Sequence, residues 1–322
     1  MTCLCVLFAV SSLFLLPTAS ATSLSLRTEY QGSSFFDAWI FYSGTDTNTT
    51  GNVYFETRET AMSSELTYVS DGKAVIKVDN STSGAGNSTY GRSSVKLYSE
   101  ETVSQGSLVV LDATHVPYGC SVWPAFWLQG SNWPVDGEID IFENVNLAQY
   151  NRYALHTTDG CKHPDNSSST SIETGTLIST DCYNATNGNQ GCVVEDPSTT
   201  SYGDDFYENG GGVFAMLWND DGIKMWFFNR SSIPSDIEDS PDPDNWTTPT
   251  ANWPNSSCDV SQFFGAQTIT LHSKDITLCG NYAGSASVYE ETCSGTCTDL
   301  IQEPSNYDTA YFEINYVRVF SR

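Results

Sequence analysis

Basic residues are scarce in this chain of 322 residues. The sequence has 13 Lys and Arg against 39 Asp and Glu, which gives a formal net charge of −26 and a sequence pI of about 4.1. A surface that acidic repels nucleic acid and anionic membranes, so we predict neither as a partner. The same charge does not oppose binding to a neutral polymer.

Long apolar runs are absent after the first 21 residues. No later segment approaches the roughly 20 apolar residues that a membrane-spanning helix needs. The run at 1–21 is uncharged and ends in the small residues Ala19-Ser20-Ala21, a pattern typical of a secretory signal peptide cleaved after Ala21. A buried N-terminal strand or a membrane anchor is the alternative for this run. We therefore predict a secreted, extracellular protein whose mature part begins at residue 22.

Cys-x-x-Cys pairs are absent, and no His stands at ligand spacing beside a cysteine. Zinc is therefore the weaker alternative, and we predict no metal and no cofactor. Of the 10 cysteines, Cys3 and Cys5 lie in the first run, and an even number remains. An even number in an exported chain favours disulfides, although the sequence leaves their pairing open.

Asn-x-Ser/Thr sequons are frequent, and each is a candidate glycan site on exposed backbone. Because such sequons also arise by chance in a Ser/Thr-rich chain, we expect only some of them to be used. They begin at Asn48, Asn80, Asn87, Asn166, Asn184, Asn229, Asn245 and Asn255.

Helical periodicity is nearly absent, as are repeats and long linkers. Short alternating runs rich in Val, Ile and aromatic residues are separated by Gly, Asn, Asp, Ser and Pro, the pattern of an all-β sandwich. Residues 213–218 and 223–228 flank Asn219-Asp220-Asp221-Gly222 and predict a hairpin. Residues 310–320 predict a closing strand, and 159–208 and 236–258 predict long surface loops. We expect one domain, residues 22–322.

The stretch PVDGEIDIFENVN at 134–146 places Glu138, Asp140 and Glu143 among apolar β-formers. In a regular strand Glu138 and Asp140 point to one face and Glu143 to the other. One extra residue, a β-bulge around Ile141-Phe142, would return Glu143 to the first face. The alternative is an edge strand whose charges block aggregation.

Two carboxylates close together on one face are the catalytic pair of a glycosidase. At about 5–5.5 Å, one attacks the anomeric carbon while the other protonates the leaving oxygen, with net retention of configuration. A third carboxylate between them, Asp140, would help set the distribution of protons, since like charges that close do not all ionise easily.

Tryptophans stand immediately upstream of the acidic strand, and aromatic faces stack on the apolar faces of sugar rings. Trp123 fits a core position better than a sugar-binding one. Trp133 lies in a turn before the acidic strand, where a core role is harder to arrange, so we predict that it is a sugar platform. Trp127 is a further candidate for substrate binding.

The motif Glu138-Ile139-Asp140-Ile141-Phe142-Glu143 resembles the E-[ILV]-D-x-x-E signature of glycoside hydrolase family 16, in the bulged form typical of laminarinases. Segments such as VPYGCSVWPAFWLQGSNWPVDGE, YALHTTDGC and LCGNYAG extend the resemblance, to the fungal endo-β-1,3(4)-glucanase branch, over most of the mature chain. The resemblance implies a β-jelly-roll sandwich of two antiparallel sheets, with an open glucan cleft on the concave face. It implies a β-glucan as substrate, and we expect a monomer.

Carried over by position, the resemblance implies that Glu138 is the nucleophile, Glu143 the acid/base and Asp140 the assisting carboxylate. His156 matches a histidine near the acid/base, although a lone His is more often structural. Two substrate-binding positions depart from the family. Lys96 stands where the resemblance implies an Arg on a cleft strand, so a point charge replaces a planar guanidinium. Tyr282 stands where it implies a Trp, so the aromatic surface for a sugar is smaller.

Three other functions compete with hydrolysis. A transglycosylase would use the same covalent intermediate with a sugar hydroxyl in place of water. A glucan-binding lectin also fits a jelly roll, but a pure binder needs neither Glu138 nor Glu143. A structural disulfide domain explains the cysteines and gives the acidic strand and the tryptophans no role.

Overall fold

Strands dominate the chain, as the scarcity of helical periodicity predicts. The structure is a computed structural model that describes residues 23–87, 89–165, 172–271 and 277–322. The strands are β1 (Ser25–Gln31), β2 (Trp39–Phe41), β3 (Gly44–Thr45), β4 (Val53–Phe55), β5 (Thr67–Ser70), β6 (Lys73–Lys77), β7 (Arg92–Ser94), β8 (Leu97–Val103), β9 (Ser107–His115), β10 (Val122–Trp123), β11 (Ala125–Gly130), β12 (Glu138–Glu143), β13 (Arg152–His156), β14 (Thr176–Leu177), β15 (Cys192–Glu195), β16 (Gly212–Asn219), β17 (Gly222–Asn229), β18 (Ala251–Pro254), β19 (Gln267–Leu271), β20 (Thr277–Leu278) and β21 (Tyr311–Ser321).

The helices are short, with four to six residues each, too few to produce a visible helical period in the sequence. They are α1 (Arg58–Ser63), α2 (Gly203–Glu208), α3 (Val260–Phe263), α4 (Gly280–Ala283), α5 (Ala286–Tyr289) and α6 (Cys297–Leu300). Single 3₁₀ turns lie at Gly32–Ser34, Thr199–Ser201, Arg230–Ser232, Pro243–Asn245 and Pro304–Tyr307. In the part of the chain that the structure describes, none of these helices has the length and apolar character to cross a bilayer.

Two large antiparallel sheets form the framework. Sheet I has the order β18-β17-β16-β9-β21-β6-β5, with β1 also paired to β21. Sheet II has the order β14-β15-β13-β12-β11-β19-β8-β2. The predicted all-β sandwich of two antiparallel sheets is confirmed. Two small sheets were not predicted: β10 with β20, and β3-β4-β7, whose β4–β7 pair is parallel.

The main core lies between the sheets. Ile139 and Phe142 of sheet II belong to the same buried cluster as Leu111 and Phe214 of sheet I, and the rings of Phe142 and Phe214 lie 5.2 Å apart. A second cluster covers the outer face of sheet I, which explains why every residue of β16 is buried. Sheet I is therefore packed on both faces, and sheet II is the sheet with a face available for a ligand.

The predicted hairpin and closing strand are confirmed. Strands β16 and β17 pair in register from Gly212–Asn229 to Asn219–Gly222, and β21 fills the center of sheet I. The predicted loop at 159–208 is partly wrong, because β15 within it pairs with β13 and extends sheet II. The loop at 236–258 likewise contains β18. Both strands are only four residues long, which gives little alternation to detect.

The disulfide prediction is confirmed, and the zinc alternative is wrong, because the eight cysteines after residue 21 are all paired. The predicted signal peptide at 1–21 and the sequon at Asn166 lie outside the described residues. The disulfides are Cys120–Cys293, Cys161–Cys258, Cys182–Cys192 and Cys279–Cys297.

The flanking segment, residues 277–307, packs beside the sandwich through its own apolar cluster. This cluster joins Tyr289 and Ile301 to Phe55 and Val122 and is separate from the core between the sheets. The buried Arg92 guanidinium donates to the Ile301 carbonyl, 3.0 Å from Nε. The segment carries Tyr282 and so contributes directly to the site.

Candidate active site

A β-bulge brings the acidic side chains of β12 to one face. Asp140 pairs with Ala154 and Glu143 with Arg152, so three steps along β12 match two along β13. The pairing with β11 shifts at the same place. Ile141 and Phe142 consequently both enter the core, while Glu138 and Glu143 both line one cleft. The predicted bulge is confirmed, and the edge-strand alternative is wrong because β12 lies between β11 and β13.

The Asn151 side chain replaces the ladder hydrogen bonds that the bulge removes. Its Oδ1 accepts from the Glu143 backbone N–H at 2.9 Å, and its Nδ2 donates to the Ile141 carbonyl at 3.0 Å. Asn151 is fully buried, and its own N–H donates to Ser201 Oγ at 2.9 Å. Sequence reasoning missed this residue. Its position eight residues after Glu143 becomes a signal only once the β12–β13 pairing is known.

Asp140 is the buried carboxyl between the two glutamates. Burial and the charge of Glu138 raise the pKa of Asp140 to about 7, with a smaller contribution from Glu143, while His156 opposes the shift. His156 Nε2 lies 3.2 Å from Asp140 Oδ2, and His156 Nδ1 lies 3.1 Å from Asn189 Oδ1. Below about pH 7 the site therefore holds at least one proton among its three carboxyls.

The cleft has a volume of about 1310 Å³ and lies on the face of sheet II that bears the carboxylates. Trp133, 39% exposed, lies at its edge, whereas Trp127 is buried and presents little surface. Trp123 is buried, as predicted, but its indole N–H donates to Glu143 Oε1 at 2.8 Å, so this core residue also contacts an acid. The predicted site residues that line the cleft are Trp127, Trp133, Glu138, Glu143, His156 and Tyr282.

The family with the description "XgeA-like, catalytic GH16 domain" matches residues 39–320. The chain belongs to glycoside hydrolase family 16. A probable glycosidase of Schizosaccharomyces pombe is 41% identical over 94% of this chain and 71% of its own length. A probable endo-1,3(4)-beta-glucanase of Aspergillus fumigatus is 39% identical over 98% of this chain, which spans only 49% of that relative.

Two solved structures support the same family membership. Laminarinase 16A of Phanerochaete chrysosporium, described with two β-glucans in its donor and acceptor sites, is 35% identical with a TM-score of 0.86, over 93% of this chain and 100% of that one. An elongating family 16 β-1,3-glucosyltransferase is 37% identical with a TM-score of 0.83, over the same shares of both chains. The predicted resemblance and the jelly-roll fold are confirmed.

The histidine lies at a different end of β12 than the family resemblance implied. The antiparallel register sets His156 opposite Glu138 and Arg152 opposite Glu143. Residues directly opposite share a face of the sheet, so His156 adjoins the Glu138 end together with Asp140. Arg152 occupies the Glu143 end instead.

Lys96, the first departure from the family 16 pattern, is buried at 4% exposure and does not line the cleft. Its Nζ lies 5.3 Å from the ring center of Tyr42 and 5.5 Å from those of Phe55 and Tyr98. An ammonium among three rings is stabilised by cation–π attraction. A role for Lys96 in substrate binding stays a prediction, and its surroundings suit a structural cation.

Tyr282, the second departure, has a partner that a Trp could not use. Its hydroxyl accepts from Arg152 Nη1 at 3.0 Å, and its ring meets Trp123 edge-on with centroids 5.2 Å apart. Arg152 also pairs with Glu195 Oε2, at 3.0 Å from Nε and 2.9 Å from Nη2. Sequence reasoning missed Arg152 and Glu195, because their alignment with Glu143 depends on the register of β12, β13 and β15.

Glu138, Asp140 and His156 also form a donor set that could hold a metal ion, since one ligand atom of each lies within 4.8 Å of the others. The contact between Asp140 and His156 already gives these two groups a role in proton distribution. The expected absence of a metal remains a prediction.

Proposed function

We propose that this protein is a secreted, endo-acting, retaining glycoside hydrolase that cleaves β-1,3-glucans and mixed β-1,3/1,4-glucans. One observation carries the proposal: Glu138 and Glu143 line the same cleft from one face of a single bulged strand. Retaining enzymes have their two carboxylates about 5–5.5 Å apart, too close for a water to lie between them, and two glutamates on one face of a single strand suit that arrangement.

The reaction proceeds by double displacement in this proposal. Glu138 attacks the anomeric carbon as Glu143 gives its proton to the leaving glycosidic oxygen, which leaves a glucosyl ester on Glu138. Glu143, now ionised, removes a proton from water, and the resulting attack breaks the ester and restores both carboxyls. A protonated Asp140 avoids a second negative charge beside Glu138 while the nucleophile is ionised and Glu143 still holds its proton.

The named activities of similar proteins support a β-glucan substrate. Laminarinase 16A and the Aspergillus fumigatus relative carry names for β-1,3- and β-1,3(4)-glucan chemistry. The cleft is open and lined by tryptophan, tyrosine and amide side chains, which suits a neutral sugar chain. Trp133, Trp127, His156, Lys96 and Tyr282 are the proposed substrate-binding residues.

Transglycosylation on the same site is the second candidate. The similarity to an elongating β-1,3-glucosyltransferase favours it, since that protein matches this chain about as well as the laminarinase does. A sugar hydroxyl would then replace water in the second step. A lectin is disfavoured because a binder needs neither glutamate.

We also propose that the mature enzyme is a monomeric single domain, residues 22–322, released after removal of a signal peptide at 1–21. Four disulfides support an oxidising compartment. We expect N-terminal sequencing of the secreted protein to begin at Thr22.

Product analysis on laminarin, lichenan and xyloglucan tests the proposal. Internal cleavage of laminarin and lichenan, with shorter oligosaccharides from the first minutes, is expected. Products longer than the substrate would instead favour transfer. Proton NMR of the first laminarin product should show the β-anomer before mutarotation, and an initial α-anomer would exclude double displacement.

A further inference from the structure

Glu143 lies at the end of a connected set of side chains from four other elements. Register places Glu143, Arg152 and Glu195 in one row across β12, β13 and β15. Directly paired residues share a face, and all three line the cleft. Among the cleft-lining residues that the structure describes, Arg152 is the single Lys or Arg.

Arg152 contacts Glu195 on one side and Tyr282 on the other. Its ion pair with Glu195 is partly buried, with side-chain exposures of 34% and 24%, and involves two guanidinium nitrogens. A planar fork fixed in this way has a defined direction for its remaining donors. The third nitrogen, Nη1, donates to the Tyr282 hydroxyl at 3.0 Å.

Tyr282, fixed by its hydrogen bond to Arg152, packs in turn against Trp123. Trp123 packs in a small cluster with Val145 and Ala283, and Tyr282 lies against that cluster with its ring edge-on to the indole. Rings in this arrangement attract each other and resist rotation. The indole N–H then donates to Glu143 Oε1 at 2.8 Å. One carboxyl oxygen is thereby fixed, which leaves the other to carry the proton to the substrate.

We propose that Arg152 and Tyr282 are positioning residues for Glu143, acting through Trp123, in the set Glu195–Arg152–Tyr282–Trp123–Glu143. The inference rests on the proposed role of Glu143 as acid/base. The Arg–Tyr contact depends on the Tyr282 hydroxyl, which the Trp that the family resemblance suggests for this position would lack. The hydrogen bond of the Tyr282 hydroxyl sets the efficiency of proton transfer to the leaving group, a role separate from stacking of the Tyr282 ring on glucan.

The test compares Tyr282→Phe, Arg152→Met and the double variant on two substrates. A laminarin oligosaccharide needs protonation of its leaving oxygen, whereas a dinitrophenyl β-glycoside leaves with little help. We expect each single variant to lower kcat on the oligosaccharide about tenfold, the scale of one lost hydrogen bond, with KM unchanged and less than a twofold change in kcat on the aryl glycoside. A rise in KM with kcat unchanged would instead show lost sugar binding and would overturn the proposal. The double variant should lose no more than the worse single variant, because both remove the same contact.

Two exposed positions of sheet I provide matched controls, Tyr68→Phe and Arg27→Met, both expected to retain parental kinetics. Equal losses on both substrates, no loss on either, or additive losses in the double variant would each overturn the proposal. If Arg152→Met lowers the melting temperature sharply, the kinetics of Tyr282→Phe alone test the proposal, because that variant removes only the hydroxyl oxygen and leaves the ring in place. Glu143→Ala is assayed in parallel: full activity in that variant refutes the proposed function itself, whatever the other variants show.

Discussion

Asn151 holds Glu143 in place from the neighbouring strand: its side-chain oxygen accepts from the Glu143 backbone N–H at 2.9 Å, while its amide nitrogen donates to the Ile141 carbonyl. The bulge that turns Glu143 toward the cleft therefore has a dedicated partner. Without it, two backbone groups near the core would have no hydrogen bond.

Asn151→Ala should lower both stability and activity. Leaving buried polar groups unpaired costs about 1–3 kcal/mol each, so we expect a loss of a few kcal/mol in the free energy of unfolding. Below the variant's melting temperature, kcat should still fall, because Glu143 is no longer held. Urea unfolding and laminarin assays measure the two effects. Gln105→Ala, at an exposed amide, should change stability by less than about 0.5 kcal/mol. A stable, fully active Asn151→Ala protein would contradict this account.

Glu138→Gln and Glu143→Gln should each abolish hydrolysis of laminarin with the fold intact, because an amide neither attacks nor donates the proton. The two positions should differ in rescue. Azide should restore turnover of an activated aryl glycoside by Glu143→Ala and yield a β-glycosyl azide, since only the second step then needs a base. Glu101→Gln, at an exposed glutamate of β8, is the control. Parental activity in either Gln variant would refute the assignment.

Asp140→Asn should change how stability depends on pH. Burial and Glu138 raise the pKa of Asp140 to about 7, so the folded protein retains a proton that the unfolded chain, with a pKa of about 4, releases. Between about pH 4 and pH 7, the folded state therefore loses stability as pH rises, and Asn removes this loss.

The difference in melting temperature between Asp140→Asn and the parent should thus move in favour of the variant from about pH 4 to about pH 7. Asp221→Asn, in the exposed hairpin turn, controls for the loss of one negative charge. A difference that stays constant over this interval would show that Asp140 does not take up a proton on folding.

Trp133→Ala should impair long glucans more than a short aryl glycoside that does not reach the Trp133 subsite. Trp133 is 39% exposed at the cleft, and stacking on an aromatic face is worth about 0.5–1.5 kcal/mol beyond buried area by analogy with aromatic pairs. That corresponds to a rise in KM for laminarin oligosaccharides of roughly twofold to tenfold. Unfolding of the variant, or equal effects on both substrates, would assign Trp133 a structural role.

The acidic strand was predictable because its pattern is local. Six consecutive residues contain the alternation, the interruption and the three carboxyls, so the bulge at Ile141-Phe142 followed from the sequence alone. The hairpin of β16 and β17 was equally local. Each depends on contacts between residues close in the chain.

The supports of the site were not predictable for the opposite reason. Glu195 lies 43 residues after Arg152, and Tyr282 lies 130 residues after it. The family resemblance suggested that Lys96 is a cation of the cleft. Its burial among three rings instead depends on the packing of Tyr42, just after β2, against Phe55 of β4 and Tyr98 of β8. Long-range packing of this kind has no signature in a single sequence.

The flanking segment that carries Tyr282 has its own apolar cluster, and two disulfides limit its movement. Cys279–Cys297 closes the segment on itself, and Cys120–Cys293 ties it to the loop before β10. Because this core is separate, we expect the free energy of opening of the segment to differ from that of the sandwich, a difference that amide hydrogen exchange measures. One wall of the cleft therefore has a core of its own, so substitutions at its exposed positions other than Tyr282 can change the shape of the cleft while the strands that hold the acids stay the same.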